Sequence, residues 1–397
     1  MAANSIAYAS IFQAALDEQM LQELTSGWME ANASQVRYNG GKTVRVSKMS
    51  LIGLGDYNRA TGYPTSGAVT LTWETFTFRE DRAQKFNLDS QDVDESNFVA
   101  TAGTVMAEFQ RTEVAPEIDA YRYSVIFTYA NNAAKTGSYT PLAATIFEEL
   151  SDDIASIQDI IGEKEQLVVM MRTPVAAILD QADKIEKKLD VVNFANGQVQ
   201  SKVRGLDGIP ILRIPTARFK TAYTLSATDG FAATATAANI NWIIAAKRSL
   251  IAIVKQDATK VIEPKDNQTI DGWSIFYRKY HDLWIFDNKL AGVFLSYTAI
   301  AAPAMTATVA GGSASGTTKF TATVVTTGNT LGYILGAATP GAKFNDLITG
   351  FTGYVSGYTS AADIAVTAGQ VLTMVELDAN LRIVLLKEVT LASGDIT

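Results

Sequence analysis

The longest regular pattern of apolar positions in the chain lies between Thr104 and Ala130. Apolar residues recur there at helical spacings, at Val105, Phe109, Ile118, Tyr121 and Val125. Spacings of three and four place these side chains along one face of a helix. The pattern therefore predicts one long helix. Pro116 has no N–H and its ring meets the preceding turn, so we expect a bend there or a break into two helices.

Charged residues occupy the opposite face of this predicted helix. Glu108 and Arg111 are spaced i,i+3, and so are Asp119 and Arg122. Oppositely charged side chains at this spacing attract each other weakly on a helix surface. We expect two weak ion pairs on a face that is solvated or turned toward another subunit.

Residues 9–31 show a second helical pattern, with Phe12, Ala15, Leu16, Met20, Leu24 and Trp28 on one face. Four acidic residues lie among them, Asp17, Glu18, Glu23 and Glu30. Such an amphipathic segment packs either on its own domain or, as an arm, on a neighbouring subunit. The sequence leaves both alternatives open.

A two-stranded ribbon is predicted upstream of the long helix. Alternating valines predict a strand from Thr43 to Lys48, and Val69, Leu71 and Trp73 alternate in a second strand. Phe76 and Phe78 continue this strand in the opposite phase. Because a one-residue slip exchanges the faces of a strand, we expect a bulge near Glu74 or burial of both faces. A long two-stranded ribbon is marginally stable alone, so we expect it to lie across a neighbour.

Residues 140–265 have the alternating pattern of an α/β domain. The predicted elements are a helix from Leu142 to about Gly162, a strand Gln166–Met171, a helix Pro174–Leu189 and short strands at Ile209–Ile214 and Ile251–Val254. The Thr- and Ala-rich stretch 221–239 is predicted to be a loop.

Aromatic residues are dense between Trp273 and Tyr297, where strands are predicted to pair beneath the long helix. With Arg278 and Lys279 they could form a nucleic-acid platform, since bases stack on aromatic faces. A core position is favoured because aromatics at strand spacing usually pack inward and the chain is acidic overall. His281 is the only histidine, and a hydrogen-bonding role within a strand is favoured for it.

The composition changes near Ala302. The last 95 residues contain only ten Lys, Arg, Asp or Glu residues and are rich in Gly, Thr and Ala. Short strands are predicted at Lys319–Val325, Gly332–Leu335, Asp363–Val366, Val371–Leu377 and Arg382–Leu386, with a hairpin turn at Asp378-Ala379-Asn380. This pattern predicts a small β-sandwich or barrel. Phe351, Tyr354 and Tyr358 are candidate exposed aromatics, although core positions are favoured.

The overall composition restricts the classes of function. The net charge is −8, which argues against a dedicated nucleic-acid binder. No Cys is present, so disulfides and thiolate chemistry are excluded. The first basic residue is Arg37, so no secretory signal is predicted. No run of 18 apolar residues exists, and membrane insertion is not expected.

Motifs for chemistry are incomplete. Lys42 and Thr43 follow Gly41 as in a phosphate-binding loop, but Val36 stands where that motif requires glycine. The acidic run Asp89, Asp92, Asp94 and Glu95 lacks the spacing of a calcium loop, and a solvated turn with Asp94 or Ser96 as a helix cap is favoured. With one histidine and no nucleophile elbow, we expect no catalytic residues, no cofactor, no metal site and no enzymatic activity.

The order of these segments resembles the major capsid proteins of tailed bacteriophages. The helix AEFQRTEVAPEIDAYRYSVIF resembles the spine helix of that family, and TVRVSKMSLIGLGDYNRATGY with AVTLTWETFTFREDRAQKFNLDS resembles its extended loop. Downstream, LDGIPILRIPTARF and DGWSIFYRKYHDLWIFDNKLAGVF resemble its later strands. The resemblance covers about residues 1–300 and rests on the order of segments.

The resemblance implies an α+β fold with five parts. These are an N-terminal arm (1–42), an extended β-hairpin loop (43–88), a peripheral domain with the spine helix (89–139 and 266–301), an axial α/β domain (140–265) and a C-terminal all-β sandwich-like accessory domain (302–397). Because the spine helix begins near residue 104, no long scaffolding segment or large removed prosegment is expected before it.

The implied function is that of a coat protein whose pentamers and hexamers form an icosahedral head around double-stranded DNA. The expected partners are other copies of the chain, a scaffolding protein, portal and decoration proteins, and packaged DNA contacted non-specifically; no membrane is expected. The resemblance also implies that the chain assembles in the bacterial cytoplasm and is located in the virion capsid. The alternative is a phage surface or tail-associated adhesion protein that binds a ligand through its C-terminal β-domain.

Position alone suggests which residues contact neighbouring subunits. The candidates are Trp28 in the arm, Tyr57, Arg59 and Tyr63 in the ribbon, and Glu113 and Glu117 on the spine helix.

Overall fold

The computed structural model describes residues 24–36, 41–60, 69–90, 102–182, 189–196, 199–206, 208–226, 230–324 and 326–397. The chain has a mixed α+β fold and divides into two compact units. So far as their ranges are described, the first unit comprises Met1–Gly137, Pro141–Ala232 and Ile240–Ser296. The second comprises Ser138–Thr140, Ala233–Asn239 and Tyr297–Thr397. The finer predicted subdivision stays a prediction.

The described helices are few. The α-helices are α1 (Ala102–Phe109), α2 (Ala115–Asn132), α3 (Ile146–Ile161) and α4 (Thr173–Asp180). Short 3₁₀ helices lie at Gly27–Gln35, Thr216–Arg218, Pro264–Asp266, Asp287–Gly292, Ile348–Gly350 and Ser393–Asp395.

Strands make up most of the regular structure. Up to residue 233 they are β1 (Thr43–Leu51), β2 (Val69–Thr77), β3 (Glu80–Asp89), β4 (Thr136–Ser138), β5 (Leu167–Arg172), β6 (Leu189–Asn196), β7 (Val199–Leu206), β8 (Ile209–Ile214), β9 (Tyr223–Leu225) and β10 (Phe231–Ala233). Beyond it are β11 (Ile240–Ala246), β12 (Ile251–Ile262), β13 (Gly272–Trp284), β14 (Val293–Tyr297), β15 (Ala307–Gly311), β16 (Thr317–Ala322), β17 (Thr330–Gly336), β18 (Tyr354–Tyr358), β19 (Ile364–Ala365), β20 (Val371–Leu377) and β21 (Ile383–Thr390).

The predicted long helix is present, and its interruption is a π-helical turn. Helices α1 and α2 are joined through the π-turn Gln110–Val114, in which the Ala115 N–H donates to the Gln110 carbonyl. Pro116 at the start of α2 cannot donate to the Thr112 carbonyl and its ring would crowd that carbonyl. One extra residue in the turn removes this conflict, so the helix continues across the proline.

The predicted placement of one charge pair on the helix surface is wrong. Glu108 and Arg111 do form an exposed i,i+3 ion pair. Asp119 and Arg122, by contrast, are both fully buried, and each binds groups on other segments. Every residue from Ile118 to Tyr123 is buried, so this part of α2 has no solvated face.

Helix α2 lies on a three-stranded antiparallel sheet ordered β12-β13-β3. Ile118 of the helix packs with Met106, Val114, Ile275 and Tyr277 in one apolar cluster. The Tyr121 hydroxyl donates to Asp282 of β13 at 2.8 Å. The predicted pairing of the aromatic strands beneath the spine helix is therefore present.

A seven-stranded mixed sheet has the order β4-β14-β11-β5-β8-β7-β6, and most of its residues belong to the first unit. Strands β5 and β8 pair in parallel, whereas β5 and β11 pair antiparallel. Two predictions in this region are wrong. The helix predicted to reach Leu189 ends at Asp180, and Leu189 begins β6. The predicted loop 221–239 contains the short strands β9 and β10.

Helix α3 packs on this sheet through Ile146, Leu150, Ile154 and Ile157. At its centre, the Trp242 indole N–H of β11 donates to the Asp153 carboxylate at 2.8 Å. Burial, with smaller contributions from Glu149 and Asp152, raises the pKa of Asp153 to about 7.

This raised pKa predicts a pH-dependent stability. The folded chain favours the neutral carboxyl of Asp153. The contribution of this carboxyl to the free energy of unfolding is therefore full below its ordinary pKa of 3.8 and is lost as the pH rises through about 7. Asp153→Asn keeps an acceptor for Trp242 and carries no charge. At pH 8 we expect it to raise the free energy of unfolding by about 1–2 kcal/mol, a value discounted for partial exposure, and to have little effect at pH 4.

Urea unfolding at both pH values measures this difference. Asp159→Asn, on the exposed side of the same helix, is the matched control and should change stability by less than about 0.5 kcal/mol at either pH. An Asp153→Asn variant with no gain at pH 8 would contradict the assignment.

The second unit is an all-β sandwich-like structure. A three-stranded sheet (β15-β16-β19) and a four-stranded sheet (β18-β17-β20-β21) share an apolar cluster. Phe320 of the first sheet and Leu372 and Met374 of the second are fully buried in it. The hairpin predicted at Asp378 is present, closed by the Asp378 N–H donating to the Arg382 carbonyl. Strands β15 and β18 are additional to the prediction.

Candidate assembly surfaces

The two faces of the hairpin β1–β2 differ in where they carry apolar side chains along its length. The strands pair in unbroken register from Thr43↔Thr77 to Leu51↔Val69. Neither predicted explanation for the change of phase holds, because no bulge interrupts the pairing and the outer half is exposed. Near the base, Phe76 packs on Trp284 at a ring-centroid distance of 5.3 Å. Toward the tip, the apolar side chains point to the opposite face.

This outer face is the largest exposed apolar feature of the hairpin. Residues that face each other across antiparallel strands project on the same side. The pairs Ser47↔Trp73, Met49↔Leu71 and Leu51↔Val69 therefore share one face. Five apolar side chains on it are between 53% and 69% exposed: Met49, Leu51, Val69, Leu71 and Trp73. We call these five residues the apolar hairpin face. Ile52 and Leu54, beyond β1, are also exposed.

A polar contact holds the middle of the hairpin to the rest of the first unit. The Asp287 backbone N–H donates to the Glu74 carboxylate at 3.1 Å, and the Lys48 ammonium lies 3.2 Å from the Asp287 carboxylate. Burial, followed by the neighbouring Asp287, raises the pKa of Glu74. The apolar hairpin face begins at this contact and continues to the tip. The whole ribbon, with strands of nine residues, is about 30 Å long at about 3.3 Å per residue.

The candidate contact residues of the ribbon lie near its tip. Tyr57 is 62% exposed, and Arg59 is exposed with no ionic partner among the described residues. Tyr63 lies outside the described residues. The position of Tyr57 and Arg59 is compatible with contact to another molecule, and that contact stays a prediction.

Trp28 does not fit the predicted role of an arm contact. Its side chain is only 1% exposed in the core of its own chain, within the 3₁₀ helix Gly27–Gln35. A side chain without accessible surface cannot contact a neighbouring molecule in this conformation. Most of the amphipathic segment 9–31 lies outside the described residues.

Buried charges attach the segment before this 3₁₀ helix to α2. The Asp119 carboxylate accepts hydrogen bonds from the Thr25 N–H, the Thr25 hydroxyl and the Ser26 N–H at 2.7 to 3.1 Å. Arg218 approaches the same carboxylate at 3.3 Å. Burial alone would raise the pKa of Glu30, but Arg122, which contacts it at 2.5 Å, and Lys279 lower it.

Glu113 and Glu117 line a cavity of about 600 Å³ beside the π-turn. Its walls also include Arg82, Phe86, Phe109 and His281. Arg82 donates to Glu117 at 2.8 Å and to the Ser226 carbonyl at 2.8 Å. Glu113 is exposed. The cavity thus has a mixed lining of aromatic and charged side chains, and the carboxylate of Glu113 has no ionic partner among the described residues.

His281 lies in this wall and is completely buried. Burial, followed by the nearby cations Arg122 and Lys279, lowers its pKa well below the ordinary value. Its ring meets the Tyr121 ring edge-on at 5.4 Å, and its Nδ1 has no hydrogen-bond partner among the described residues. A neutral, enclosed imidazole without a neighbouring nucleophile does not form a triad.

Other candidate chemistry is limited within the described residues. They contain no group of three or more His, Cys, Asp or Glu side chains that could hold a metal ion. The predicted acidic run from Asp92 to Glu95 lies outside them. In the part of the chain that is described, no helix is both long and apolar enough to cross a membrane.

The aromatic residues of the second unit divide between core and surface. Tyr358 stacks on Phe320 at 4.1 Å and donates to the Ala362 carbonyl at 2.6 Å, so it is a core residue. Phe351 is half-buried against an apolar cluster. Tyr354 is 40% exposed on the edge strand β18.

Comparison with known proteins gives one family match and several distant structural likenesses. Residues 310–394 match the family of the S-layer protein SbsC C-terminal domain, in agreement with the all-β second unit. A structure of SbsC domains 7, 8 and 9 is 24% identical, covers 29% of this chain and 37% of that chain, and has a TM-score of 0.22. No curated protein matches the chain.

Solved structures of viral particles are similar to about two thirds of the chain. The capsid structure of the cyanophage P-SCSP1u is 12% identical and covers 67% of this chain and 86% of that chain, with a TM-score of 0.48. A structure from Mycobacterium phage Che8 is 14% identical, covers 64% and 84%, and has a TM-score of 0.44. A virus-like particle from Pyrococcus furiosus is 11% identical, covers 73% and 99%, and has a TM-score of 0.43. At these TM-scores the likenesses do not determine what this chain does.

Proposed function

We propose that this chain is the major capsid subunit of a tailed bacteriophage, which assembles through pentamers and hexamers into an icosahedral head around double-stranded DNA. The observation that carries the proposal is the apolar hairpin face. A ribbon that exposes five large apolar side chains on one side loses stability in water and gains it when that side is covered.

The size of this face suits a contact between subunits. At about 100 Å² per side chain it offers on the order of 500 Å², the size of the largest, often functional, patch on a typical monomer. A stable interface buries about 800 Å² per partner. Most of that requirement is met by the hairpin alone.

The occupant we propose is a second copy of this chain, because the chain also carries a matching recess. The ribbon tip presents Tyr57 and the cation Arg59, which has no ionic partner among the residues that the structure describes. The cavity beside the spine helix presents aromatic side chains together with the exposed carboxylate of Glu113, which has no ionic partner within the described part of the chain. A projecting element that fits a different surface of an identical subunit gives a heterologous contact, which closes into rings when the rotation permits.

The remaining parts of the proposal follow from this role. A shell subunit needs no catalytic residue or cofactor, so we infer that the chain is not an enzyme. Its partners would be its own copies, with scaffolding, portal and decoration proteins and packaged DNA. The protein would reside in the virion capsid after assembly in the host cytoplasm.

Charge reversal tests the proposed contact. Arg59→Glu and Glu113→Arg should each replace an attraction by a repulsion and weaken the contact by about 1 kcal/mol in total, raising the concentration needed for particle formation about fivefold. The double variant should restore assembly. Velocity sedimentation of the full chain measures the particle fraction. Lys164→Glu with Asp159→Lys, an exposed pair of positions elsewhere, is the control. Unchanged yields in both single variants would contradict the contact.

The family match favours a second candidate function. Residues 310–394 are similar to a domain of an S-layer protein, which supports a surface or tail-associated adhesion protein with a ligand on its C-terminal β-unit. Tyr354 on the exposed edge strand would be the first contact to test. A monomeric chain whose binding to bacterial cells is lost in Tyr354→Ala would favour this candidate over the shell.

A further inference from the structure

The outer face of the β12–β13–β3 sheet carries a concentration of positive charge in an acidic chain. Alternate residues of β13 project to opposite sides of the sheet. Ile275 and Tyr277 face α2, whereas Phe276, Arg278 and Tyr280 face away from it. Arg278 and Lys279 therefore lie on opposite sides of the sheet and do not share one platform. Lys279 is buried and binds Asp257 at 2.7 Å, while Arg278 is exposed.

The cross-strand register assembles the cations of this outer face. Lys85 of β3 and Lys260 of β12 both stand opposite Phe276, one on each side. Two residues along, Arg278 lies between Ala83 and Ala258. In the next row, the Lys255 ammonium lies 4.9 Å from the centre of the Tyr280 ring.

The charges on this face do not cancel. Four cationic side chains share the face with two carboxylates. Asp81 binds Arg278 at 2.6 Å, and Asp89 stands opposite Gly272 at the end of β3. Lys85 and Lys260 have no carboxylate partner among the described residues and are exposed. At the edge of the face, Lys265 is neutralised by Glu263 at 2.8 Å. The face keeps a clear positive excess, opposite in sign to the net charge of −8.

The shape of the face favours a backbone of phosphates over stacked bases. Lys85 and Lys260 are separated by two interstrand spacings, about 10 Å, across the sheet. The alanines beside Arg278 leave room for close approach. Phe276 is half-buried and has the Lys85 ammonium 5.2 Å from its ring centre, so it is not free to stack on a base.

We propose that this outer face, with Lys85, Lys260, Arg278 and Lys255, binds the phosphate backbone of duplex DNA without sequence preference. The biological setting rests on the proposed shell, in which one side of every subunit faces packaged DNA. The binding itself rests only on the charge and geometry of the sheet. Within a Debye length of about 8 Å at physiological salt, the local cations dominate over the distant acidic surface.

Fluorescence anisotropy with a labelled 30-base-pair duplex of random sequence tests the proposal on the full chain. Lys85→Gln with Lys260→Gln removes two phosphate contacts. We expect DNA binding to weaken at least about tenfold at 50 mM salt. The slope of log K against log salt should become shallower by about 2, since each released contact contributes about 0.9. Lys164→Gln with Lys343→Gln removes the same charge at exposed positions elsewhere and should change neither quantity.

The other outcomes are distinct. Native chain that does not bind the duplex at 50 mM salt, or a double variant with unchanged affinity and slope, would overturn the proposal. A double variant that keeps DNA binding but loses self-association would also overturn it, and would assign the face to an acidic surface of another copy. A chain that binds DNA through this face but forms no particles would overturn the shell and leave this inference standing.

Discussion

Replacing Leu71 and Trp73 together by aspartate is expected to abolish particle formation while leaving the subunit folded. Both side chains are more than half exposed in the isolated subunit, so the substitutions remove little internal packing. In the proposed shell, each would place a charge in an apolar contact between copies. A buried unpaired charge costs several kcal/mol. Because every subunit repeats the contact, even part of this cost should reduce the particle fraction in velocity sedimentation from most of the protein to none detectable.

The hairpin itself supplies the matched control. Thr70 and Thr72 lie on the same strand as Leu71 and Trp73, are exposed, and project from the opposite face. Thr70→Asp with Thr72→Asp adds the same charge to the same segment and should leave most of the particles intact. If both double variants assemble equally well, the apolar hairpin face is not the contact. If neither double variant forms particles, added charge anywhere on the ribbon prevents assembly, and the apolar hairpin face is not identified as the contact.

The second large effect is expected at Asp119, in the subunit itself. Asp119→Ala leaves the Thr25 and Ser26 N–H groups and the Arg218 guanidinium without their acceptor in a fully buried site. Removing one partner of such a buried network costs about 3–5 kcal/mol, a large part of the 5–15 kcal/mol that stabilises a typical domain. We expect the variant to be largely insoluble, or to melt at least about 10 °C lower than the native chain.

Glu108→Ala is the control for this prediction because it removes the other i,i+3 carboxylate of the spine helix. The Glu108 side chain is 58% exposed and its pair with Arg111 lies in solvent, so the expected loss is below about 0.5 kcal/mol. Thermal unfolding followed by circular dichroism distinguishes the two. Similar melting temperatures for Asp119→Ala and the native chain would show that the buried network is not needed for stability.

These two carboxylates also show how far sequence reasoning reaches. The same spacing, i,i+3 to an arginine, occurs at Glu108 and Asp119, and it correctly predicts the exposed pair only at Glu108. Periodicity shows which residues share a face of a helix. It does not show which other segments of the chain pack against each face. The partners of Asp119 are distant in the sequence: Thr25 is 94 residues away and Arg218 is 99 residues away. No pattern in the sequence around Asp119 indicates these contacts.

The hairpin was predicted as a ribbon, and both strands are present, but the reason for its change of phase was not found. The alternation Val69, Leu71, Trp73 signalled an apolar face, and pairing it with Met49 and Leu51 would have located that face. The sequence does not tell whether an apolar face is covered. Burial of the face depends on which other segments of the chain pack against it. Other segments pack against Phe76 and Phe78, and the outer half of the hairpin stays exposed.

The strand pattern was predicted best where turns are short. The limits of β20 match the predicted strand Val371–Leu377. Strands rich in Ala, Gly and Thr, such as β15, lack the large apolar side chains from which alternation is recognised. The candidate contact residues were chosen by position, and position did not distinguish the buried Trp28 from the exposed Tyr57. The cationic sheet face was missed because it arises only when β3 is placed beside β13, which lies far along the chain from it.

The measurement that tests the central claim most directly is the mass of the purified native chain in solution, by multi-angle light scattering with negative-stain microscopy of the same sample. The account predicts rings or closed shells of many copies, in equilibrium with capsomers as the concentration falls. A single species at the 42.7 kDa mass of one chain, unchanged up to tens of micromolar, would contradict it.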